Sequence, residues 1–395
     1  MRTSVPHRGG SRRTYDGAVR VLFDATAIPA DRGGVGRYVD ALLPALAAEG
    51  VDLRVVCQAR DAEATAALVP GADVVPAPGP AGRRPVRLAW EQTGLARLAG
   101  RRHADVLHSP HYTFPVAARV PLVVTLHDAT FFSHPGLHSP VKARFFRTTT
   151  RLAVRRAAAL VVPSRATRDE VVRYAGGDPA RFTVAYHGVD TGVFHPVDAG
   201  ERDRVRAAVG LGPAEPYVAF LGTLEPRKNV PALIEGWVRA CAGTPDPPAL
   251  VLAGGRGWDT GVDAAVAAVP AGLRVLRTGY LPLGDLAGLL SGASVVAYPS
   301  LGEGFGLPVL EAMACGAAVL TTRELSLPEV GGDAVAYCGT SAGAIAAGLR
   351  ALLDDPAERA RLADAAAARA GSFTWRAAAQ AHVEAYDAAL ARRRP

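Results

Sequence analysis

Short apolar runs rich in valine and leucine alternate along this chain with longer segments of alanine, arginine and leucine at helical spacing. This alternation is typical of a parallel sheet covered on both faces by helices, because strands buried on both faces read as continuous apolar runs. The pattern occurs in each half of the chain. It predicts two doubly wound α/β domains, since 395 residues exceed what one hydrophobic core normally serves.

The apolar runs predict equal numbers of strands in the two halves. They lie at residues 19–24, 53–57, 105–108, 122–126, 159–163 and 182–186 in the first half, and at residues 217–221, 249–253, 274–277, 294–298, 318–321 and 334–337 in the second. Helical segments follow at residues 341–353, 356–370 and 374–392. The final segment has no strand to cover in its own half, so we expect it to cross back to the first domain.

The same pattern gives the domain boundaries. Residues 18–200 are predicted to form the N-terminal domain and residues 201–373 the C-terminal domain, with residues 374–395 as the crossover helix. Residues 1–17 are basic and rich in Gly, Ser and Arg, with no apolar stretch behind them. We therefore expect a disordered arm there rather than a signal peptide.

The composition limits which kind of binding partner and which cellular compartment we expect for this protein. A formal net charge of +7 suits an anionic partner such as a nucleotide, a phosphorylated acceptor or an acidic membrane surface. The 4 cysteines are scattered without metal spacing, which we interpret as reduced core residues. No run of the sequence approaches the ~18 apolar residues of a spanning helix. A cytoplasmic protein is therefore expected.

A basic motif, Glu225-Pro226-Arg227-Lys228-Asn229, follows the first predicted strand of the second half. Asn229 is predicted to cap the next helix, so Arg227 and Lys228 precede a helix N-terminus, where unpaired N–H groups already favour an anion. A diphosphate suits the combination of the planar guanidinium of Arg227 with the compact ammonium of Lys228. The alternative is a solvated basic turn. Composition favours a function, because the only other lysine is Lys142 and Asn229 is the only asparagine.

A glycine-rich loop with two glutamates follows the predicted strand that ends at Tyr298. Glu303 lies on this loop, and Glu311 falls in the first turns of the helix that Pro308 opens. Each ionised carboxylate can accept hydrogen bonds from vicinal hydroxyls of a ribose or a hexose. Two carboxylates at the rim of one crevice therefore indicate sugar recognition. Alternatively, the glutamates have only a structural role, because the positive end of the helix dipole favours acidic side chains.

Two features of the first half lie where predicted strands end. Gly34 and Gly36 belong to a glycine-rich turn that follows the first strand and opens a helix. This turn is not a dinucleotide fingerprint, because Val39 occupies the third glycine position, and a plain tight turn is the alternative. His127 follows the strand at residues 122–126, so we expect it to project into the crevice. For a lone histidine a structural role is the alternative.

Together these motifs resemble a known enzyme family. The glutamates Glu303 and Glu311, with seven residues between them, enclose Gly304-Phe305-Gly306-Leu307-Pro308, and the Glu225–Asn229 motif lies upstream. This set resembles the retaining family 4 glycosyltransferases, which have the GT-B fold of two Rossmann-like domains facing a cleft. The resemblance extends from Val19 to about Tyr386.

The resemblance implies a role for each motif. Arg227 and Lys228 would hold the diphosphate of the donor, Glu311 would bind its ribose, and Glu303 would bind hydroxyls of the transferred sugar. His127 would lie beside that sugar, and with Arg227, Lys228 and Glu303 it forms the predicted catalytic set. The predicted donor-binding set also includes Gly34 and Gly36 facing the phosphates, Gly279 and Tyr280 beside the base, and the loop residues Gly304, Phe305, Gly306 and Leu307.

The resemblance also implies the chemistry. We expect a hexose, with mannose favoured, to pass from a nucleotide sugar such as GDP-mannose to a glycan or lipid-linked acceptor, with retention of configuration, in polysaccharide biosynthesis. UDP-sugars remain open as donors. The sequence has no Asp-x-Asp pair of the kind that binds a metal–nucleotide complex. We therefore expect no metal, no cofactor and no nucleic-acid partner, with positive charge supplied by Arg227, Lys228 and helix N-termini.

Three other interpretations stay open. The first is a glycoside hydrolase or phosphorylase that uses Glu303 and Glu311 as acid and nucleophile. The second is a non-catalytic nucleotide-binding module. The third concerns a basic amphipathic segment at Pro140–Arg156, which either rests on anionic lipid at the inner face of a membrane or is an ordinary solvated face over a core stripe.

Overall fold

The structure is a computed structural model that describes residues 18–30 and 32–392. The arm expected at residues 1–17 and the last residues of the crossover segment, 393–395, lie outside the described residues. Within them, the strands form two separate sheets, one in each half of the chain. Neighbouring strands in both sheets run parallel.

Both sheets have a doubly wound strand order. The first contains β1 Arg20–Asp24, β2 Asp52–Cys57, β3 Asp73–Pro76, β4 Val106–Ser109, β5 Leu122–Thr125, β6 Ala159–Val162 and β7 Phe182–Val184, in the order β3-β2-β1-β4-β5-β6-β7. The second contains β8 Tyr217–Leu221, β9 Ala249–Ala253, β10 Val275–Gly279, β11 Val295–Tyr298, β12 Val319–Thr322 and β13 Ala336–Cys338, in the order β10-β9-β8-β11-β12-β13. In such sheets ligands bind outside the carboxyl ends of the strands, where the order reverses.

Helices connect the strands and cover both faces of each sheet. In the first half they are α1 Gly33–Ala48, α2 Ala62–Leu68, α3 Arg84–Trp90, α4 Ala96–Arg101, α5 Thr130–Ser133, α6 Pro140–Arg156 and α7 Arg165–Ala175. In the second half they are α8 Ala199–Ala208, α9 Val230–Ala240, α10 Gly261–Ala267, α11 Leu286–Ser291, α12 Leu307–Ala314, α13 Leu327–Gly331, α14 Ala342–Asp354, α15 Pro356–Ala370 and α16 Trp375–Ala391.

The predicted fold class is confirmed, with one strand more than predicted. The strand that sequence analysis missed is β3, at the edge of the first sheet. Its apolar run consists of Val74 and Val75 alone, both only half-buried, and Pro76 ends the strand. A run this short at a sheet edge carries too little apolar signal to be recognised.

The cores follow the alternation of side chains along the buried strands. In β1, Val21 and Phe23 face the core beneath α1 and α16, whereas Leu22 faces the core beneath the opposite layer of helices. All three are fully buried. Burial on both faces is the property that made these strands recognisable as continuous apolar runs.

The last helix crosses back to the first domain, as expected. It packs against α1 and against β5, β6 and β7. A buried polar network joins it to the first sheet. Within that network His108 in β4 lies 2.8 Å from both the Tyr386 and Thr125 hydroxyl oxygens. His382 lies 2.7 Å from the hydroxyl of Tyr38 in α1.

The two connections between the domains touch each other. The backbone N–H of Val189 donates to the carbonyl of Phe373 at 3.0 Å. A Cβ atom at Gly188 would overlap the backbone nitrogen of Trp375, so this approach requires glycine. This contact therefore fixes the paths of the two chain segments that connect the domains, one leading into the second domain and one leading back to α16.

A second firm contact between the domains involves Glu329 in α13. Its carboxylate accepts hydrogen bonds from the backbone N–H groups of Arg165 and Ala166, at 2.9 and 2.7 Å. The Tyr186 hydroxyl donates to the same carboxylate at 2.7 Å. A carboxylate at the N-terminus of α7 is favoured by the helix dipole. The contact therefore ties α13 of the second domain to the start of α7 in the first.

The remaining expectations from composition concern membranes and cysteines. In the described ranges, the structure has no helix that is both long and apolar enough to cross a bilayer. Cys57, Cys241 and Cys315 are buried free thiols, and Cys338 is partly buried and also free. They contribute to the cores as small apolar residues.

Candidate active site

The loop after β8 carries the basic motif to the carboxyl edge of the second sheet. Pro226–Lys228 form a short 3-10 turn that leads into α9. Asn229 lies at the N-cap position of α9, as predicted, but its backbone is left-handed, with φ 60°, and its side chain makes no capping bond. Its Nδ2 instead donates to the carbonyls of Pro299 and Thr340, at 3.2 and 2.8 Å. Asparagine tolerates left-handed backbone better than most residues, which explains its presence at this turn.

Arg227 and Lys228 are largely buried and ion-paired, so the alternative of a solvated basic turn is wrong. Lys228 is only 7% exposed. Its Nζ donates to Oε1 of Glu303 at 2.7 Å and to the Tyr298 hydroxyl. Arg227 donates to the other oxygen of Glu303 and, at 2.6 Å, to Glu225. Burial lowers the pKa of Lys228, and the charge of Arg227 lowers it further.

Glu303 accepts hydrogen bonds from four side chains. Besides Arg227 and Lys228, the Tyr298 hydroxyl donates to Oε1 at 2.9 Å and the Ser300 hydroxyl at 2.8 Å. Burial alone would raise the pKa of Glu303, but the two cations outweigh it and lower that pKa to about 2. Glu303 is therefore ionised at any physiological pH, and it can only accept hydrogen bonds there.

The glycine loop after β11 reaches the first domain at Gly304. A Cβ atom at this position would overlap the carbonyl oxygen of His127, so only glycine permits the contact. The carbonyl of Gly304 accepts hydrogen bonds from the hydroxyls of Ser164 and Thr167, at 2.7 and 3.1 Å. The residue that follows Glu303 is thus fixed against the end of β5.

The rest of the glycine loop is shaped by packing. Phe305 is buried, and its ring centroid lies 4.9 Å from that of His187 in the first domain. Gly306 has φ 107°, a left-handed conformation that suits glycine, and α12 begins at the next residue, Leu307. These residues position the loop. They are predicted donor-binding residues whose contacts here are with the protein itself.

His127 lies at the end of β5 and faces the crevice, as the sequence indicated. Its Nε2 lies 2.7 Å from the carbonyl oxygen of Pro110. A carbonyl can only accept, so Nε2 carries the proton. Burial lowers the pKa of His127, which favours the neutral ring. The side chain lines a cavity of the first domain, and the backbone touches the glycine loop of the second.

Glu311 is buried in α12 and pairs with the opposite domain. Its side chain is 4% exposed, and Oε1 lies 2.6 Å from Nη1 of Arg37 in α1. Its second oxygen, Oε2, is buried without a hydrogen-bond partner among the described residues. Burial raises the pKa of Glu311, and Arg37 only partly offsets this effect. The carboxylate therefore has an unused acceptor at the base of the crevice.

Gly34 and Gly36 lie in the first turns of α1, opposite this carboxylate. A Cβ atom at Gly36 would approach Cβ of Arg32 to 2.8 Å, so this glycine is explained by packing. At Gly34 a Cβ atom would meet nothing within 4 Å. Gly34 is exposed, so the start of α1 is open to solvent at this position.

Gly279 and Tyr280 lie at the outer edge of the second sheet. Gly279 ends β10 with φ 68°, and Tyr280 is 64% exposed. The strand order separates β10 from β8 by one strand, a distance of about 10 Å between strand axes. Tyr280 is thus available at the rim, some way from the cluster of Arg227, Lys228 and Glu303.

A cavity of about 520 Å³ opens at the carboxyl edge of the first sheet. Its wall includes His127, Tyr112 and His111, together with Phe145 and Phe146 from α6. Arginines and glutamine line the other wall, namely Arg60, Arg84, Arg87 and Gln58. A pocket with ring faces and several hydrogen-bond donors suits a polyhydroxylated molecule.

One group of possible metal ligands occurs in residues 18–30 and 32–392, namely Asp24, Glu91 and His111. Their ligand atoms all lie within 4.8 Å of one another. A guanidinium already supplies positive charge there, because Arg87 donates to Glu91 at 2.8 Å. Thr113 donates to the same carboxylate at 2.7 Å. Nε2 of His111 lies 3.3 Å from Oδ2 of Asp24. We interpret the group as a buried polar cluster beneath the cavity.

Several residues that the structure brings into the site were not predicted from the sequence. Arg37 follows the glycine turn, and Tyr298 and Ser300 flank the end of β11, yet none was identified as a site residue. Tyr298 and Ser300 carried a usable signal, since they lie at the carboxyl end of a predicted strand. Arg37 did not, because its partner is Glu311 in the other domain.

Comparisons with known proteins agree with this architecture. Residues 32–193 match Glycosyltransferase Family 4, and residues 201–369 match Glycosyl transferases group 1. O-antigen chain mannosyltransferase B of Escherichia coli is 30% identical over 307 residues, which cover 76% of this chain and 77% of that protein. D-inositol 3-phosphate glycosyltransferase of Arthrobacter sp. (strain FB24) is 30% identical over 391 residues, covering 91% of each.

A solved structure supports the same fold. The structure of Anabaena HepE in complex with UDP and glucose aligns with a TM-score of 0.73 and 20% sequence identity, over 93% of this chain and 98% of that one. The two sequence matches cover consecutive halves that correspond to the two sheets, and the relatives align over most of their length. The chain therefore belongs to the glycosyltransferases that combine a Family 4 N-terminal half with a group 1 C-terminal half, and it is a glycosyltransferase of the GT-B fold.

Proposed function

We propose that this enzyme moves a hexose, with mannose favoured, from a nucleotide diphosphate sugar to a hydroxyl of a glycan or lipid-linked acceptor. The observation that carries the proposal is the buried set of Arg227, Lys228 and Glu303 at the carboxyl edge of the second sheet. This set lies next to the contact between Gly304 and His127 of the first domain. A sugar bound there would lie between the two domains.

The diphosphate of the donor would replace carboxylates as the partner of Arg227 and Lys228. In the structure these cations are neutralised by Glu225 and Glu303. Negative charge grows on the diphosphate as the glycosidic bond breaks, so the two cations would stabilise the transition state more than the bound donor. Glu303, once released, would accept hydrogen bonds from hydroxyls of the sugar.

The ribose of the donor is assigned to Glu311. Its Oε2 is buried and has no partner among the described residues, and a buried acceptor of this kind favours a ligand that donates hydrogen bonds. Gly34 is exposed at the start of α1, where the free backbone N–H groups of the helix would favour the phosphates. Tyr280 at the rim is the proposed neighbour of the base.

The acceptor is assigned to the cavity of about 520 Å³ in the first domain. His127 separates this cavity from the glycine loop, so an acceptor hydroxyl near His127 would face the anomeric carbon. The rings of Phe145 and Phe146 offer apolar faces to a sugar ring or to the start of a lipid chain.

The transfer is proposed to retain the anomeric configuration, without a metal or a cofactor. Glu303 is held by two cations, which disfavours its use as a nucleophile. The acceptor oxygen would then bond to the anomeric carbon on the face that the diphosphate leaves. The departing phosphate oxygen would take the proton of the acceptor hydroxyl. Helix N-termini, Arg227 and Lys228 would supply the positive charge.

Mannose from GDP-mannose is favoured by the form of the Glu225–Asn229 motif and by the relation to a bacterial mannosyltransferase. The fold shared with HepE, whose structure contains UDP and glucose, keeps UDP-sugars as the second candidate. The relation to D-inositol 3-phosphate glycosyltransferases favours acceptors rich in hydroxyl groups. The proposed process is polysaccharide biosynthesis.

The protein is proposed to lie in the cytoplasm. There the exposed face of α6 would contact an anionic membrane from outside. Lys142, Arg144, Arg151 and Arg155 are exposed on this helix, and Val141 is 82% exposed. Such a face is attracted to anionic lipid. Arg147 does not belong to it, because its Nε donates to the carbonyl of Phe131 at 2.7 Å.

A hydrolase or phosphorylase mechanism is disfavoured by the surroundings of the two glutamates. That mechanism needs one carboxylic acid and one available nucleophile. Both oxygens of Glu303 are bonded to cations, and Glu311 is paired with Arg37. Both carboxylates are thus arranged as acceptors.

One assay tests the proposal. Purified protein is incubated with GDP-mannose, UDP-glucose and related nucleotide sugars, with and without glycan acceptors and with and without EDTA. We expect one donor to raise the melting temperature and to release its nucleotide only with an acceptor, at a rate that EDTA does not change. NMR of the product should show the anomer of the donor. Release of free sugar without an acceptor would indicate a hydrolase, and an inverted anomer would contradict retention.

A further inference from the structure

A cation of the first domain occupies the carboxylate that we assign to the ribose. Nη1 of Arg37 in α1 lies 2.6 Å from Oε1 of Glu311 in α12. The side chain of Arg37 is 34% exposed, whereas that of Glu311 is 4% exposed. The carboxylate is therefore part of the floor of the crevice, and the guanidinium is part of its solvent-accessible wall.

The pair leaves Glu311 only half satisfied. Oε2 is buried and lacks a hydrogen-bond partner within residues 18–30 and 32–392. Buried polar atoms in proteins nearly always have partners, so an orphaned carboxylate oxygen points to a ligand that donates hydrogen bonds. A ribose with two vicinal hydroxyls could satisfy both oxygens, but only if Arg37 withdraws from Oε1.

Arg37 has a second destination close by. It lies one turn from Gly34, where a Cβ atom would meet nothing within 4 Å. The same region is the N-terminus of α1, whose first backbone N–H groups have no partner within the helix. An anion at that open space would attract a guanidinium as well as the helix start. A diphosphate bound there lies within the reach of a long, flexible side chain.

We propose that Arg37 takes the place of the nucleoside on Glu311 while the site is empty, and moves to the diphosphate when the donor binds. This inference rests on the proposed function, which assigns the ribose to Glu311. Arg37 then acts as a selectivity residue. Arg37 competes with the ribose of any nucleoside for Glu311. When the nucleoside carries a diphosphate, the contact of Arg37 with the phosphates offsets the loss of its pair with Glu311. It also joins the two domains before the donor arrives and joins the first domain to the donor afterwards.

Binding measurements on the full chain test the proposal. Calorimetry compares GDP with guanosine, and UDP with uridine, on the wild type and on Arg37→Ala. Removal of a competing ion pair should tighten nucleoside binding roughly two- to tenfold, since the pair reduces the fraction of sites that can bind. The diphosphate should gain less or bind more weakly, because it also loses a cation. The preference for the diphosphate over the nucleoside should therefore fall.

Two further variants of site residues and one control make the outcome specific. Arg37→Lys should lie between the wild type and Arg37→Ala, because lysine keeps the charge without the planar fork. Glu311→Ala should weaken both ligands. Arg239→Ala is the matched control, since Arg239 is an exposed arginine whose ion-pair partner among the described residues is Glu235 on the surface of α9. It should bind all four ligands like the wild type.

The possible failures are distinguishable. If Glu311→Ala weakens binding but Arg37→Ala leaves nucleoside affinity unchanged, the ribose site stands and the role of Arg37 is wrong. Equal tightening of nucleoside and diphosphate would mean that Arg37 only competes, which contradicts its transfer to the phosphates. If Glu311→Ala changes neither ligand, or if none of the four ligands binds the wild type, the proposed function itself fails.

Discussion

The two lysines of the chain occupy different environments. Lys142 is exposed on α6, whereas Lys228 is 7% exposed and is enclosed by Glu303 and Tyr298. Its Nζ lies 4.9 Å from the centroid of the Tyr298 ring. An ammonium is more compact than a guanidinium, which suits this enclosed position. Lys142 and Lys228 are the only lysines among 44 basic residues, and Lys228 is the one that is buried.

Replacing Lys228 with alanine tests its role in the departure of the diphosphate. We expect turnover to fall by about 10²–10³-fold, because the lost contact strengthens as charge grows on the leaving group. Folding should persist, since Arg227 still pairs with Glu303. Steady-state kinetics with the donor found by the assay, together with circular dichroism, measures both. Arg239→Ala serves as the control, and a wild-type rate in Lys228→Ala would mean that the diphosphate lies elsewhere.

Single residues were predictable from the sequence where they end a strand. His127, Glu303 and the Arg227-Lys228 pair each follow a buried apolar run, so the edge of a parallel sheet locates them. Their partners were not predictable. Arg37 and Glu311 are 274 residues apart in sequence, and only the packing of the two domains brings them together. The missing capping bond of Asn229 has a similar cause, since its side chain bonds to distant loops.

Among the elements, the crossover helix depends on neutral histidines. Burial lowers the pKa of His108, His187 and His382, and it lowers that of His382 to about 4. An unfolded chain binds a proton at each histidine near pH ~6.5. Between pH 6.5 and 4 the unfolded state therefore binds more protons than the folded state. The free energy of unfolding must decrease as the pH falls through this window.

Removing one of these histidines should reduce that pH dependence. The shift of His382 alone corresponds to about 3 kcal/mol once the pH is below 4. In His382→Gln, the melting temperature should change less between pH 7 and pH 5 than it does in the wild type. His195→Gln, which alters an exposed histidine, should keep the wild-type slope. Equal slopes in wild type and His382→Gln would contradict a neutral buried ring at this position.

The glycine loop after β11 determines how closely the domains meet. In Gly304→Ala the new methyl group would overlap the carbonyl oxygen of His127, so the loop and the end of β5 must separate. Insertion into a tight contact typically costs about 1–3 kcal/mol. We expect kcat/KM to fall at least about tenfold, since a small misplacement of reacting groups is costly to catalysis.

A second glycine provides the control for this variant. Gly284 lies in the same domain, and a Cβ atom there would meet nothing within 4 Å. Gly284→Ala should therefore keep wild-type kcat/KM. If Gly304→Ala were as active as Gly284→Ala, the contact between the glycine loop and His127 would not be needed for the reaction.

Helices and strands could be predicted from the sequence where their apolar pattern was long. The crossover helix was predictable because it has no strand to cover in its own half. The edge strand β3 was not, because its two valines are only half-buried. The polar network beneath α16 was not predictable either, since His108, Thr125, Tyr38 and His382 come from four different elements.

In the whole molecule, two kinds of contact join the domains. Glu329 bonds to the backbone at the start of α7, and Gly188 packs against Trp375, so these contacts depend on backbone atoms. Two further contacts join side chains alone. Arg37 pairs with Glu311, and Nζ of Lys142 lies 4.9 Å from the ring centroid of Trp258. We infer that the first set holds the domains together and that the second can exchange when a donor enters.

The two-domain architecture and its central crevice could be predicted from the sequence, because the alternation of strands and helices along the chain follows from local apolar patterns. The relative placement of the domains could not. It depends on close approaches such as that of Gly304 to His127, which involve one residue from each domain and leave no periodic signal. The pairing of charges across the crevice could not be predicted either, because it also involves one residue from each domain.

A crystal structure of the enzyme with its nucleotide sugar would show whether Arg227 and Lys228 hold the diphosphate. We expect both phosphates to lie within hydrogen-bond distance of Arg227 and Lys228, with Glu303 released toward the hydroxyls of the sugar. Phosphates found elsewhere, with the Arg227–Glu303 and Lys228–Glu303 pairs still intact, would contradict the account.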